Sequence, residues 1–294
     1  MGDATADAGF RGPLDRGGLK RFRAEVIGRK NLPTIPAVLA RVLGLIERED
    51  ASTRELVDLI EHDQALTGKM LRLANSAFFG QSRRVATIPR AVMLLGFPTV
   101  RNLALGVKVW DAMAPGIPSE RLEELWMHAV MVAVASKVLA AKLSAGDPDE
   151  AFTAGLLHDV GRLVLATRFK DAYWTAAARA DGADAIVDVE QQAFGVHHAE
   201  VGGWLLEAWG LPPSIVEAAR MHHATPDRPG AIGLVATANR LVAVTDVAER
   251  RVRPEGVAAL EREATRGVTP ELWQVVITAL AEDGALGSLG RTEG

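Results

Sequence analysis

A histidine–aspartate pair at positions 158 and 159 is the first feature of this sequence that could do chemistry. His158 and Asp159 stand within residues 154–162, an otherwise mostly apolar run whose pattern predicts a helix. A buried ionisable side chain needs a partner or a metal ion, because an isolated charge is costly to remove from water. The pair alone is weak support for a site, since His62 and Asp63 form a second pair that we interpret as an ordinary helix end.

The remaining histidines distinguish the first pair from the second. The chain has seven histidines, and all but His62 fall in one part of the sequence, namely His128, His158, His197, His198, His222 and His223. Glu124 precedes His128 by about one helical turn, which places both on one face of a predicted helix. Several imidazoles with two carboxylates form a mixed ligand set that suits iron, manganese, zinc or nickel better than magnesium or calcium. The sequence therefore predicts a shared site for a divalent transition metal.

Each histidine also has an ordinary interpretation. An imidazole can serve as a polar partner inside a core, bonded to a carbonyl or a carboxylate. A structural scaffold in which the histidines only hydrogen-bond is therefore a further hypothesis. Whether His197 or His198 faces the site also stays open, because adjacent residues on a helix point in different directions.

The elements that must position these residues are predicted to be helices almost throughout. Apolar residues recur with a helical period, and no strand–turn–strand pattern stands out. We predict an all-α, two-lobed helical bundle with a helical lobe at 19–113, a second helical lobe at 119–283, and disordered tails at 1–18 and 284–294. Pro115, Gly116 and Pro118 mark the boundary between the lobes. In the second lobe, residues 119–143 and 151–169 are each predicted to form one continuous helix.

Composition excludes several classes of function. The formal net charge is −4 and the sequence pI about 6.0, so a nucleic-acid partner is not indicated. Cysteine is absent, which excludes disulfides and thiolate metal sites. No signal peptide is recognisable, and the longest uninterrupted apolar runs are shorter than a membrane span. We expect a cytoplasmic protein that does not associate with a membrane.

Several separate stretches resemble the HDOD domain family, which is related to the HD and HD-GYP metal-dependent phosphohydrolases. The resemblance extends from about Arg21 to His223 and is carried, in order, by residues 32–36 (LPTIP), 63–67, 73–76, 91–96, 154–161, 194–202 and 209–212. It implies an all-α fold with an HD-like helical core in the second lobe, at 119–283, and a signalling or regulatory role in bacteria. It also implies an output domain that often lacks the full metal set and is regarded as non-enzymatic.

The ligand pattern of the HD-GYP enzymes is matched closely in this chain. The matching residues are Glu124, His128, His158, Asp159, His198, His222 and His223. The last aspartate of that pattern falls at Asn239, whose amide oxygen carries no charge. The lysine that follows the His–Asp pair in those enzymes is Arg162 here, a cation suited to bidentate pairing with phosphate or carboxylate. The Gly-Tyr-Pro segment is absent after His223.

Two functions from different classes follow from these residues. The first is a non-catalytic regulatory module with a retained HD-type metal site, which binds metal or a nucleotide second messenger and acts on a signalling protein partner. The alternative is a metal-dependent phosphohydrolase or phosphodiesterase acting on a nucleotide or cyclic dinucleotide. In that case Asp159 would hold the metal and Arg162 would contact phosphate.

Overall fold

The computed structural model of the chain describes residues 12–28, 41–42, 44–45, 48, 51–75, 85–181, 185–223, 230–246, 251–256, 258, 261–262 and 267–281. These residues are mainly helical, as the apolar period predicts. The helices are α1 (Arg16–Gly28), α2 (Thr53–Glu61), α3 (Gln64–Ala74), α4 (Ile88–Leu95), α5 (Phe97–Met113), α6 (Ser119–Leu143), α7 (Pro148–Leu157), α8 (Val160–Phe169), α9 (Asp171–Ala177), α10 (Ala185–Phe194), α11 (His198–Ala208), α12 (Pro213–Met221), α13 (Gly230–Ala243) and α14 (Pro270–Ala281).

The all-α fold class is confirmed. Within the described ranges, extended pairing is limited to β1 (Thr245–Asp246) and β2 (Arg251–Val252), which form a short antiparallel pair, followed by a 3-10 turn at Pro254–Gly256. This strand pair lies in the part of the chain that follows α13 and does not form a separate sheet layer.

The first helix begins earlier than the sequence predicts. Asp15 accepts a hydrogen bond from the backbone N–H of Gly18 at 2.6 Å and its own carbonyl accepts one from Leu19, so it starts α1 at Arg16. Residues 16–18, which the sequence places in the N-terminal tail, form the first turn of α1, and α1 packs against α11. Residues 1–11 and the predicted tail at 284–294 lie outside the described residues.

Helix α6 is the central element of the second half of the chain. It packs against α7, α13 and α14, and apolar residues such as Ala129, Val132 and Leu139 are fully buried. By length and composition alone α6 could cross a membrane, but 56% of its most apolar window is buried inside the protein. Such burial is what a core helix requires, since an apolar helix must cover its surface against other elements.

The predicted continuous helix over residues 151–169 is broken. Helix α7 ends at Leu157 and α8 begins at Val160, so that His158 and Asp159 occupy the junction. Asp159 has φ −97° and ψ 8°, outside the helical region. The break changes the geometry of the site, because two residues at a junction can point into the same space when neighbours within one helix cannot.

The first half of the chain packs directly on this junction. Helices α2, α3 and α4 contact one another and α5, and α5 in turn contacts α7 and α8. The indole N–H of Trp110 in α5 donates to the carbonyl of Leu156, at the end of α7, at 3.3 Å. Helix α5 thus connects the two predicted lobes, whose boundary near Met113 stays a prediction.

The second His–Asp pair is a helix end, as the sequence indicates. His62 closes α2, and Asp63 accepts a hydrogen bond from the backbone N–H of Leu66 at 3.0 Å at the start of α3. Its other oxygen lies 2.9 Å from Nζ of Lys108 in α5. Burial opposes the ionised form of Asp63, but these two partners outweigh burial and lower its pKa below the ordinary value.

Replacing Asp63 by asparagine should therefore destabilise the protein in a pH-dependent way. A group whose pKa is lowered by folding contributes stability above its unfolded pKa and loses it as pH falls through the folded value. We expect Asp63→Asn to lower the free energy of unfolding by about 1 kcal/mol at pH 7 and by less at pH 3. Urea unfolding at both pH values measures this, with Arg54→Ala, 90% exposed in its side chain, as a near-neutral control. Equal stability of Asp63→Asn and wild type at pH 7 would contradict the assignment.

Candidate metal centre

Four helix ends and one helix interior bring the candidate ligands together. His158 and Asp159 lie at the α7–α8 junction, His198 is the first residue of α11, and His222 and His223 directly follow α12. His128 lies within α6, away from both ends of that helix. The tight packing of α8 on α11 is essential for this convergence, because it places residues almost forty positions apart in the sequence next to each other.

The ligand atoms form two groups that share one carboxylate. We call Asp159, His198, His222 and His223 the inner group, and His128, His158 and Asp159 the outer group. Within each group the candidate ligand atoms all lie within 4.8 Å of one another. This spacing is what a bound metal ion needs, since nitrogen and oxygen ligands sit about 2 Å from the ion.

The two oxygens of Asp159 face different groups. Oδ1 lies 3.2 Å from Nε2 of His198 and 3.4 Å from Nε2 of His222. Oδ2 lies 3.6 Å from Nε2 of His158 and 4.0 Å from Nε2 of His128. A carboxylate placed in this way can serve both groups at once.

Two of the ring nitrogens that face the centre, Nε2 of His158 and Nε2 of His222, carry free lone pairs. Nδ1 of His158 lies 2.6 Å from the carbonyl of Gly155, and Nδ1 of His222 lies 2.8 Å from the carbonyl of Ala219. A carbonyl only accepts, so each Nδ1 carries the proton and each neutral ring presents an unprotonated Nε2. Nε2 of His158 is buried and has no hydrogen-bond partner among the described residues. A buried acceptor of this kind fits a metal ligand.

Burial and neighbouring charges set the protonation of the centre. Burial alone would raise the pKa of Asp159, but the cationic and imidazole groups around it outweigh burial and bring that pKa well below its ordinary value. Burial lowers the pKa of His158 and of His222 to about 3, so both rings are neutral at pH 7. Burial also disfavours the charged form of His198, yet the carboxylates of Glu190 and Asp159 raise its pKa to about 9. Without a metal, His198 is therefore protonated at pH 7 and pairs with the carboxylates of both Asp159 and Glu190.

Sequence reasoning missed Glu190 and Tyr173. Both are fully buried, and the Tyr173 hydroxyl donates to Oε1 of Glu190 at 3.1 Å. Oε2 of Glu190 lies 2.6 Å from Nδ1 of His198. The available signal was a single acidic residue among the inward positions of the helix at 185–194, together with the only tyrosine of the chain.

Two predicted ligands are placed differently from the prediction. Glu124 is outside both groups: its side chain is 64% exposed and pairs with Arg121 at 2.9 Å, so the structure does not bring it to the other predicted ligands. Its position one turn before His128 puts it nearer the solvent-exposed start of α6. Asn239 is buried, but its Oδ1 lies 2.8 Å from Nε2 of His128. It therefore orients His128 in this arrangement.

The remaining predicted residues have clear positions. His198 faces the centre, whereas His197 precedes α11 as its N-cap and is partly exposed, which answers the question that the sequence left open. Arg162 donates from Nη1 to Oδ2 of Asp159 at 3.3 Å and from Nε to the hydroxyl of Tyr173 at 3.0 Å. Its guanidinium is thus bonded inside the protein.

A helical protein with a His–Asp pair at a helix junction, surrounded by histidines from other helix ends, defines a domain of the HD type. The HDOD domain family profile matches residues 32–225, about two thirds of the chain. The chain belongs to the HDOD domain family, as the resemblance implied.

Known proteins resemble the chain over most of its length. An uncharacterised protein of Treponema pallidum (strain Nichols) is 27% identical over an alignment of 226 residues, and the match covers 74% of this chain and 43% of that protein. The chain thus spans less than half the length of this curated relative.

Solved structures show the same fold. A protein of Shewanella amazonensis SB2B, provisionally named a phosphohydrolase, superposes with a TM-score of 0.70 at 27% identity and covers 90% of this chain and 98% of its own. An HDOD domain protein of unknown function from Geobacter sulfurreducens gives a TM-score of 0.70 at 26% identity, covering 92% and 97%. A provisionally named signal transduction protein of Marinobacter aquaeolei VT8, at 22% identity and a TM-score of 0.65, covers 97% and 68% and shares the fold.

Proposed function

We propose that this chain is a non-catalytic regulatory HDOD protein of bacterial signal transduction, acting in the cytoplasm and binding a divalent transition metal at the inner group. The observation that carries the proposal is the convergence of His198, His222, His223 and the Asp159 carboxylate within 4.8 Å. Three imidazoles and one carboxylate form a ligand set suited to iron, manganese, zinc or nickel.

The metal would act by holding helix ends in one arrangement. Asp159 begins α8, His198 begins α11 and His222 follows α12, so a bound ion would link three helices. It would supply positive charge that replaces the proton on His198 and neutralises Asp159. Hydrogen bonds from Nδ1 to Glu190 and to the carbonyl of Ala219 would hold the rings of His198 and His222 in place.

A signal could pass from the centre to the first half of the chain through α5. Helix α5 packs on α7 and α8, and Trp110 bonds the last turn of α7 directly before His158. A ligand that prefers one arrangement of these helices shifts the population towards it without chemical turnover. We propose a signalling protein as the partner that reads this arrangement, or a nucleotide second messenger as the ligand that sets it.

Two contacts favour regulation over catalysis. Asn239, which the resemblance places where the related enzymes have an aspartate, has its amide oxygen bonded to His128 and contributes no negative charge. Arg162, the candidate phosphate ligand, is already bonded to Asp159 and Tyr173. A substrate phosphate would have to compete with both.

A phosphohydrolase remains the second candidate because of Asp159. Its two oxygens face two adjacent ligand groups, an arrangement that two metal ions could share in phosphoester hydrolysis. The name of the Shewanella amazonensis protein points to the same class.

A hydrolysis assay separates the two candidates. We expect wild-type protein loaded with Mn²⁺ or Fe²⁺ to hydrolyse nucleotides, cyclic dinucleotides and a generic phosphodiester no faster than Asp159→Asn. The regulatory proposal predicts equal background rates, because the residues that would bind phosphate are engaged internally. Hydrolysis that depends on Asp159 and on added metal would establish the enzyme and end the non-catalytic proposal.

A further inference from the structure

Glu190 is a buried carboxylate that belongs to neither the inner nor the outer group. It lies within α10, is 0% exposed and is surrounded by the core of the second half of the chain. A buried carboxylate is costly unless charged or hydrogen-bonding groups compensate it, so its partners indicate why it is there. We infer that Glu190 is a positioning residue for the metal centre, holding the ring of His198 so that Nε2 points into the inner group. This inference rests on the proposed metal binding.

One oxygen of Glu190 fixes His198 at two points. Oε2 accepts from the backbone N–H of His198 at 2.7 Å and from ring Nδ1 at 2.6 Å. The first bond holds the backbone where α11 begins, and the second holds the ring plane. Because a carboxylate cannot donate, Nδ1 must keep its proton, and Nε2 is the nitrogen left to bind a metal.

The other oxygen connects His198 to the second essential ligand. Oε1 accepts from the hydroxyl of Tyr173, which accepts from Nε of Arg162, which in turn donates to Oδ2 of Asp159. Nε2 of His198 lies 3.2 Å from Oδ1 of Asp159, and this contact closes the ring of bonds. The orientations of one imidazole and one carboxylate of the inner group thus depend on the same buried glutamate.

A purely structural role would require only a hydrogen-bonding group of the same shape, which glutamine provides. A positioning role also requires the negative charge, since a carboxylate on the far nitrogen increases the basicity of a metal-bound imidazole. With its amide oxygen towards His198, glutamine can accept both bonds from His198 and turn its N–H₂ towards the hydroxyl of Tyr173, which can accept a hydrogen bond. The substitution Glu190→Gln therefore separates the two roles.

The test compares Zn²⁺ affinity by chelator competition at pH 8 in wild type, Glu190→Gln and Asp149→Asn, using the full chain. Asp149 is a matched control, since it is a partly buried carboxylate bonded to Lys137 and Thr99 and belongs to neither ligand group. We expect Glu190→Gln to bind Zn²⁺ about 10- to 100-fold more weakly and to change the visible spectrum of the Co²⁺-loaded protein. Asp149→Asn should keep both the affinity and the spectrum of wild type.

The outcomes separate this inference from the function on which it rests. If wild type binds Zn²⁺ and Glu190→Gln matches it in affinity and Co²⁺ spectrum, the positioning role is overturned and the metal proposal stands. If wild type binds neither ion, both fall. If Glu190→Gln does not fold, the ¹⁵N shifts of His198 in Zn²⁺-loaded wild type decide: a protonated Nδ1 supports the role, and a metal-bound Nδ1 overturns it.

Discussion

Replacing Asp159 by asparagine is expected to remove metal binding almost completely. Asp159 is the only residue common to both ligand groups and the only carboxylate in either. Asparagine keeps the shape but not the charge, and one of its polar groups would turn a donor towards the centre. We expect the affinity for Mn²⁺ or Zn²⁺ to fall by about 100-fold or more, which metal analysis after dialysis and chelator competition would measure.

The second His–Asp pair supplies the control for this prediction. Asp63→Asn makes the same substitution beside His62, in a pair that caps a helix and bonds Lys108. It should leave the metal content of the protein unchanged despite its cost in stability. If Asp159→Asn retained as much metal as the wild type, the ion would be bound outside the inner and outer groups.

Replacing Gly161 by alanine is expected to damage both the fold and the centre. A Cβ at this position would overlap the carbonyl oxygen of His198 and would lie 2.6 Å from the backbone nitrogen of Gly202. These are backbone atoms of α11, which cannot move aside as a side chain can. Helix α8 would have to separate from α11, and with it Asp159 from His198. We expect a loss of about 3 kcal/mol in the free energy of unfolding and weaker metal binding.

Urea unfolding and metal analysis of Gly161→Ala test this expectation. The matched control is Gly68→Ala in α3, where an added Cβ meets only the flexible end of Arg72 at 3.6 Å. Alanine is the better helix former, so Gly68→Ala should be neutral or slightly stabilising. If Gly161→Ala were as stable as Gly68→Ala and still bound metal, the close approach of α8 and α11 would not be needed for the site.

Much of the helical content was predictable because it follows from local pattern. The apolar period placed α6 at its observed bounds, and a capping box formed by Ser52 and Glu55, a recognisable sequence pattern, begins α2. Asp159 and the three inner-group histidines were among the predicted ligands because all histidines but His62 fall in one part of the sequence. The HDOD resemblance supplied their order along the chain.

The remaining features depend on packing between distant segments. The break between Leu157 and Val160 carries no proline or glycine, so the pattern alone predicted one helix. Helical spacing placed Glu124 with His128, but the start of α6 is solvent-exposed and Arg121 takes the carboxylate. Glu190 could be assigned only when α10, α11 and Tyr173 were seen together, because its burial is set by tertiary structure.

Anomalous diffraction from crystals of the wild-type protein loaded with Zn²⁺ or Mn²⁺ tests the central claim most directly. The account predicts an anomalous peak within about 2.0–2.3 Å of ligand atoms of Asp159, His198, His222 and His223. A loaded protein that carries less than about 0.1 equivalent of metal per chain and shows no peak among these side chains would contradict it. The histidines would then be hydrogen-bonding residues of a structural core.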